Sequence, residues 1–333
     1  MQEYVSVRRP NMSTAQLDHL EGGLHRFVFV DRTHADLSDP AATRKLLFIT
    51  RPTRIIHLAA KTAPMETMAR HHAEHFTANQ RINSNVLQAS AALATSGLLG
   101  VTDVNATLLR VLSCLSSVML PAGSGVESEV TEADVSVLSK ESLAAVRPLT
   151  AGYGAAKLQQ LQLSSWITKE TPALSAVTLM PSRVFGPPPH CAADGPLGNV
   201  LLAKAAAAAR SGSPMVVDGS GQAQLQLLFS GDLAKVIVWS LEHYNDANEP
   251  MAVTGGEGHS VQELAELAST TAGFTGEIVY TETESDGPPG LGVSSAKLKA
   301  LMPRLAWTPL GAAMASTMHA CDYLTKRRGQ YLS

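Results

Sequence analysis

The sequence RIIHL at residues 54–58 is a short apolar run, and the chain holds three more runs of this kind. They are RFVFV at 26–30, LRVLSCL at 109–115 and AVTLM at 176–180. Because these runs are nearly continuous rather than alternating, they predict strands of a parallel sheet covered on both faces. Helical patterns separate them, at 75–93, at 152–168 and after Asp39-Pro40. Strands alternating with helices predict a doubly wound, Rossmann-like α/β fold.

The pattern changes at Gly186, where GPPPHCAADGP predicts a loop because consecutive prolines disrupt both helices and strands. Helices are then expected at 197–210, 232–243, 261–271 and 311–325, and short strands at 215–217, 252–254 and 277–281. This part predicts a smaller α+β cap. We expect residues 1–180 to form a dinucleotide-binding domain and 181–333 mainly a substrate-binding cap, with a return to the first domain around 226–256.

Composition excludes several classes of protein. Of 333 residues, 45% are apolar and 17% charged, which is typical of a globular chain. Lys and Arg total 26 against 29 Asp and Glu, so there is no basic excess for binding nucleic acid. Three widely spaced cysteines form neither a metal motif nor a disulfide framework. Residues 1–10 lack the apolar core of a secretory signal, and no apolar run is long enough to span a membrane. We expect a cytoplasmic protein without a metal site or membrane association.

Tyr153 and Lys157 are four residues apart in GYGAAK, so they share one face of a helix. A lysine ammonium beside a phenol lowers the pKa of the phenol, which makes tyrosine an acid or base near neutrality. Ser116 and Ser117 end the strand at 109–115, where a crevice opens at the carboxyl edge of such a sheet. A serine hydroxyl there would bind the same substrate carbonyl. The alternative is an amphipathic helix with an incidental tyrosine.

Together the motifs resemble the extended short-chain dehydrogenase/reductases, and most closely their GDP-L-fucose synthase branch, the GDP-4-keto-6-deoxy-mannose 3,5-epimerase/4-reductases. The resemblance runs nearly end to end, through THADLSD at 33–39, RIIHLAA at 54–60, INSNVLQAS at 82–90, GYGAAKLQ at 152–159, VFGPP at 184–188 and SGDLAKVIVW at 230–239. It implies the cofactor NADP(H), a GDP-sugar substrate, and a homodimer formed through the helices at 75–93 and 152–168.

The resemblance also assigns site residues. Ser116, Tyr153 and Lys157 match the catalytic triad of the reductase, and Arg183 lies where the family has a substrate-binding asparagine. The cofactor positions are Asp31, Arg32, Asp36, Leu37, Ala59, Ala60 and again Lys157. Asp31 would bind a ribose 2′-hydroxyl, as in NAD, whereas Arg32 would bind the 2′-phosphate of NADP, so the residues leave this choice open.

The first strand and the glycine turn of the family are degenerate here. Residues 4–7 are the only plausible first strand, RRPNMS follows at 8–13, and no glycine precedes Gly22. Glycines at this turn let the backbone approach the pyrophosphate. Pro10 lacks an N–H donor, and the two preceding arginines are bulky, so we expect weak cofactor binding. The alternative is a misassigned start of the sequence.

The epimerase residues and the nucleotide-binding cations are also replaced. Val118 stands at the cysteine position, and Pro196 or Leu197 near the histidine position. The family's aromatic and basic residues that contact the nucleotide correspond here to Asp218, Leu225, Gly290 and Leu291. Asp218 is expected to repel a diphosphate. His190 and Cys191 have the chemistry to replace the proton-transfer pair, or they belong to a solvated loop.

Three functions are consistent with these residues. The first is an NADP-dependent GDP-sugar epimerase/reductase, and the second is a reductase that acts on another substrate. The third is a non-catalytic pseudoenzyme that works by binding, for instance by dimerising with an active paralogue. The triad favours the first two, and the lost glycine turn, epimerase pair and cations favour the third.

Overall fold

The computed structural model describes residues 27–63, 65–100, 109–117, 131, 150–187, 195–281 and 293–330, except for the side chains of 65, 66 and 322–330. Several sequence predictions concern residues outside these ranges. They are the first strand at 4–7, the RRPNMS turn at 8–13, Val118, His190, Cys191, Gly290 and Leu291.

The described strands are β1 (Arg54–His57), β2 (Leu109–Cys114), β3 (Leu174–Pro181), β4 (Arg183–Phe185), β5 (Met215–Asp218), β6 (Gln224–Leu225), β7 (Leu227–Phe229), β8 (Met251–Val253), β9 (His259–Ser260) and β10 (Ile278–Thr281). The described helices are α1 (Pro40–Thr50), α2 (Met65–Arg70), α3 (His72–Ala94), α4 (Ala151–Glu170), α5 (Leu197–Ser211), α6 (Ser230–His243), α7 (Val261–Ala272), α8 (Ala296–Leu301) and α9 (Leu310–Gln330).

The main sheet has the order β1-β2-β3-β8, and all of its strands are parallel. Every residue of β3 is buried. On one face, Leu109 and Val111 pack with Leu87 of α3 and Ile167 of α4. On the other face, residues of β2 and β3 pack against α6. The predicted doubly wound α/β fold is therefore confirmed.

A local signal begins helix α1 as expected. The Asp39 carboxylate accepts a hydrogen bond from the N–H of Ala41 (2.8 Å), and Pro40 occupies the first helical position of α1. An acceptor at the N-cap and a proline that needs no donor are the preferred start of a helix. The same local chemistry begins α7, where Ser260 and Glu263 form a capping box.

The predicted strand at 26–30 is wrong for the residues that the structure describes. Residues 27–30 form no strand, and Phe27 and Val30 are 44% and 40% exposed. An apolar run becomes a strand only when it forms a ladder of backbone hydrogen bonds with another strand, and none of the described strands pairs with residues 27–30. For the same reason β1 is the edge of the described sheet, and Ile56 is 41% exposed rather than buried.

Within the described residues of the C-terminal part there are three two-stranded sheets, which pair β4 with β7, β5 with β10, and β6 with β9. The residues Phe185, Leu201, Leu264 and Met314 form the centre of its core. This mixture of short strands and helices matches the expected smaller α+β cap. Strand β8 is part of the main sheet, and helix α6 packs against that sheet, as expected for the return of the chain to the first domain around 226–256. The domain boundary at residue 180 stays a prediction. No helix among the described residues has both the length and the apolarity to cross a membrane.

Candidate active site

The carboxyl ends of β1, β2 and β3 lie at one edge of the main sheet, and the candidate triad gathers there. Ser116 and Ser117 follow the end of β2, while Tyr153 and Lys157 lie on the first two turns of α4. Tyr153 is 9% exposed and Lys157 is 4% exposed. A side-chain hydrogen bond joins Ser116 to the phenol of Tyr153. The structure therefore brings together the three residues that the sequence singled out.

The ammonium of Lys157 is held by two protein acceptors. Its Nζ donates to the backbone carbonyl of Cys114 (2.7 Å) and to Oε1 of Gln160 (3.2 Å). The same Nζ lies 5.7 Å from the ring centroid of Tyr153. Burial lowers the pKa of Lys157 to about 8, because desolvation disfavours the charged form. An ammonium has three donors, so these two bonds leave one N–H of Lys157 for a ligand.

The expectation that Lys157 lowers the pKa of Tyr153 is wrong. Burial raises the pKa of the phenol to about 12, and the nearby Cys114 thiol adds to the rise, while the hydrogen bond with Ser116 opposes it. The ammonium is directed at the Cys114 carbonyl instead of stabilising a phenolate. Tyr153 consequently keeps its proton at neutral pH and can act as a proton donor.

A row of polar side chains crosses the sheet beneath this site, and the sequence analysis missed it. His57, Ser113 and Thr178 occupy matching positions on β1, β2 and β3. His57 is 5% exposed, and its Nε2 lies 3.0 Å from Oδ1 of Asn83 on α3. Burial lowers the pKa of His57 to about 4, so the imidazole is neutral at physiological pH. The signal was present as a polar residue near the end of each apolar run, His57 in RIIHL and Ser113 in LRVLSC.

Apart from Lys157 on α4, the predicted cofactor residues lie in two loops. Asp31 is exposed, and its Oδ1 accepts hydrogen bonds from the N–H and hydroxyl of Thr33 (2.9 and 2.6 Å), which lower the pKa of the carboxyl. Hydrogen bonds from Ser38 lower the pKa of Asp36, and the positive charge of Arg32, in the same loop, adds to this effect. The carbonyl of Leu37 accepts a hydrogen bond from Asn85 (3.0 Å) of α3. Nothing described brings Asp31 into contact with the triad.

Ala59 and Ala60 follow the end of β1 after Leu58, which places them at the same edge of the sheet as Ser116. Their small side chains permit close approach of a ligand to the backbone. Among the described residues, no group of three or more His, Cys, Asp and Glu side chains is arranged to hold a metal ion.

The predicted substrate side of the site has a mixed character. Arg183 is exposed on β4. Asp218, at the end of β5, forms an ion pair with Lys204 of α5 (2.8 Å). That pairing offsets the repulsion that Asp218 alone would exert on a diphosphate. Leu225, on β6, is partly buried against the core of the cap.

Comparisons with known proteins concern the family and the fold of the chain. A model of the NAD dependent epimerase/dehydratase family matches residues 4–254. The GDP-L-fucose synthase of Dictyostelium discoideum is 25% identical over 290 residues, which cover 86% of this chain and 84% of that protein. A probable GDP-L-fucose synthase of Drosophila melanogaster is 26% identical over 306 residues, covering 88% and 87% of the two chains. The structure of a GDP-L-fucose synthetase from Naegleria fowleri bound to NADP superposes with a TM-score of 0.78 at 24% identity, covering 94% of this chain and 91% of that one.

Proposed function

The chain belongs to the NAD dependent epimerase/dehydratase family, and on that basis we propose that it is an NADP(H)-dependent reductase of a 4-keto sugar carried on GDP. The observation that carries the proposal is the meeting of Ser116, Tyr153 and Lys157 at the carboxyl edge of the sheet. The GDP-L-fucose synthases to which the chain is similar supply the substrate class. In this proposal the epimerase step is lost, because Val118 carries no group that can transfer a proton.

NADPH, when bound, supplies the hydride that reduces the ketone. Tyr153 holds the proton that the carbonyl oxygen takes up, and its pKa of about 12 keeps that proton on the phenol until an alkoxide develops. Ser116, already hydrogen-bonded to this phenol, orients the carbonyl oxygen toward the same proton. After transfer, solvent returns a proton to the phenolate of Tyr153.

The described residues fit a nicotinamide dinucleotide at three places. The remaining N–H of Lys157 is a donor for ribose hydroxyls, and the small Ala59 and Ala60 leave the backbone after β1 accessible. In the loop before α1, Asp31 and Arg32 offer a carboxylate and a guanidinium to the second ribose of the cofactor. Asp36 and Leu37, in the same loop, complete this part of the proposed site. The NADP bound to the Naegleria relative supports NADP as the cofactor.

We further propose that Arg183, exposed on β4, contacts the sugar or its diphosphate.

We also propose that the chain forms a homodimer through helices α3 and α4. These helices pack against each other, and Phe76 and Trp166 on them are 37% and 53% exposed. Burying such side chains against a second copy would remove apolar surface from water. We also propose that the chain works in the cytoplasm and binds neither nucleic acids nor membranes.

A second candidate, a non-catalytic binding protein that dimerises with an active paralogue, is favoured by one feature of the site. Tyr153 and Lys157 are both buried, and the ammonium is already bonded to Cys114 and Gln160. Such an arrangement also suits a structural remnant, in which only the ring and the alkyl stem are needed for packing.

The experiment that separates the two candidates follows NADPH oxidation by the purified chain with GDP-4-keto-6-deoxymannose as substrate. We expect turnover in the wild type and a loss of about 10²- to 10⁴-fold in Tyr153→Phe, the usual contribution of a general acid. Tyr244→Phe is the matched control, because Tyr244 is also buried and its hydroxyl donates to the backbone carbonyl of Glu249 (2.6 Å) instead of bonding to a triad residue. Equal inactivity of the wild type and both variants would refute the reductase and favour the binding protein.

A further inference from the structure

We propose that Gln160 is a positioning residue, which holds the ammonium of Lys157 against the carbonyl of Cys114 so that one N–H of the ammonium stays available to a ligand. The inference rests on the proposed function for the identity of that ligand, the ribose of the cofactor. It assigns a role to a residue that lies outside the Ser–Tyr–Lys triad.

The geometry begins with the spacing on α4. Gln160 follows Lys157 by three residues, which places both side chains on the same face of the helix. Gln160 is 1% exposed, and its Oε1 lies 3.2 Å from Nζ of Lys157. Because an ammonium can only donate, the amide oxygen of Gln160 must be the atom that faces it. The Nε2 atom of Gln160 makes no hydrogen bond to a described residue, so among the described residues Lys157 is the sole hydrogen-bond partner of this amide.

The positive charge of Lys157 is stabilised by neutral hydrogen-bond acceptors such as the amide of Gln160, because the ionisable groups around it are uncharged at neutral pH. Among the residues that the structure describes, three titratable groups interact with it: the Tyr153 phenol on the same helix, the Cys114 thiol on β2 and the His57 imidazole on β1. Burial raises the pKa of the thiol to about 11 and that of the phenol to about 12, and lowers that of the imidazole to about 4. All three are neutral at pH 7, and no described carboxylate forms an ion pair with Lys157.

Two fixed acceptors also restrict where the ammonium lies. A lysine side chain has a flexible four-carbon stem, and it loses much of its rotamer freedom when the ammonium at its end is held in place. The carbonyl of Cys114 fixes one direction, and the amide of Gln160 fixes a second. Without Gln160, the ammonium would be free to rotate away from the orientation that presents its third N–H to the site.

The test measures the pKa of Lys157 directly, by NMR titration of ¹³C-labelled lysine between pH 6.5 and 9.5. The Lys157 signal is identified by its loss in Lys157→Met. The wild-type midpoint is expected at about 8. In Gln160→Leu the midpoint is expected to fall by about one pH unit, a tenfold change in the proton affinity of Lys157. The reason is that the substitution removes an acceptor that favours the charged ammonium. In Gln160→Glu the midpoint should rise above the wild-type value.

The control is Gln162→Leu, which changes the same residue type at a partly exposed position of the same helix and should leave the midpoint unchanged. NADPH affinity at pH 8.5 is measured in parallel and should fall in Gln160→Leu and recover in Gln160→Glu. Midpoints that agree within about 0.3 in all variants would overturn the inference. If wild-type protein binds no NADPH, the proposed function fails, whereas the titration still decides whether Gln160 holds the ammonium.

Discussion

Acidification should destabilise the folded chain through His57, and the size of the effect follows from the structure. His57 is buried and neutral, with a pKa of about 4 in place of its ordinary 6.5. Below pH 6.5 the unfolded chain takes up a proton on this imidazole, whereas the folded chain does not until the pH approaches 4. Stability is therefore fully present above pH 6.5 and is lost as the pH falls from 6.5 to 4. The free energy of unfolding should drop by about 2 kcal/mol from this group between pH 7.5 and 5.0.

The assay is urea unfolding of the wild type and of His57→Gln at pH 7.5 and at pH 5.0. Glutamine keeps a donor for Oδ1 of Asn83 but cannot titrate in this range. We expect the wild type to lose about 2 kcal/mol more than the variant over this interval. His319→Gln, a control at an exposed position of α9, should behave as the wild type. An equal loss in the wild type and in His57→Gln would refute the reasoning.

Three further predictions concern the cofactor, the reaction and the fold. Calorimetry should give an NADPH affinity at least about 30-fold weaker than that of a relative with the glycine turn, about 2 kcal/mol, and low-micromolar binding would contradict this. Mass spectrometry should find no solvent deuterium at C3 or C5 of the 4-keto sugar; exchange that is abolished by His190→Ala or Cys191→Ala would instead support a compensating pair. Arg110 is buried and donates to the carbonyls of Glu242 (3.4 Å) and Tyr244 (2.5 Å). In urea unfolding, Arg110→Met should therefore cost about 2–4 kcal/mol, against less than about 1 kcal/mol for the partly exposed Arg54→Met.

The parts of the fold that were predictable are those set by local chemistry. The continuous apolar run at 176–180 lies within a strand whose residues are all buried, and Asp39-Pro40 marks the first turn of α1. The run at 26–30 carries the same local signal but forms no strand at 27–30. Whether such a run pairs depends on a neighbouring strand, and this information is not contained in the run itself.

The site shows the same division between local and distant information. Helical spacing correctly placed Tyr153 and Lys157 on one face, because a turn of helix fixes that relation. It did not indicate the hydrogen-bond partner of the ammonium, because the carbonyl of Cys114 that accepts from it is on β2, 43 residues away in the chain. The pKa of Tyr153 is raised mainly because the phenol is buried, and the spacing along the helix does not reveal that burial. The His57–Asn83 pair spans 26 residues and was invisible for the same reason.

Transfer of deuterium from NADPH labelled at C4 of the nicotinamide is the most direct measurement of the proposed reductase activity. The purified chain is incubated with the labelled cofactor and GDP-4-keto-6-deoxymannose, and the sugar product is analysed by mass spectrometry. We predict a reduced product that carries one deuterium at C4 and that is lost in Tyr153→Phe. A product signal no greater than in the reaction without protein would contradict the account and leave the binding function in its place.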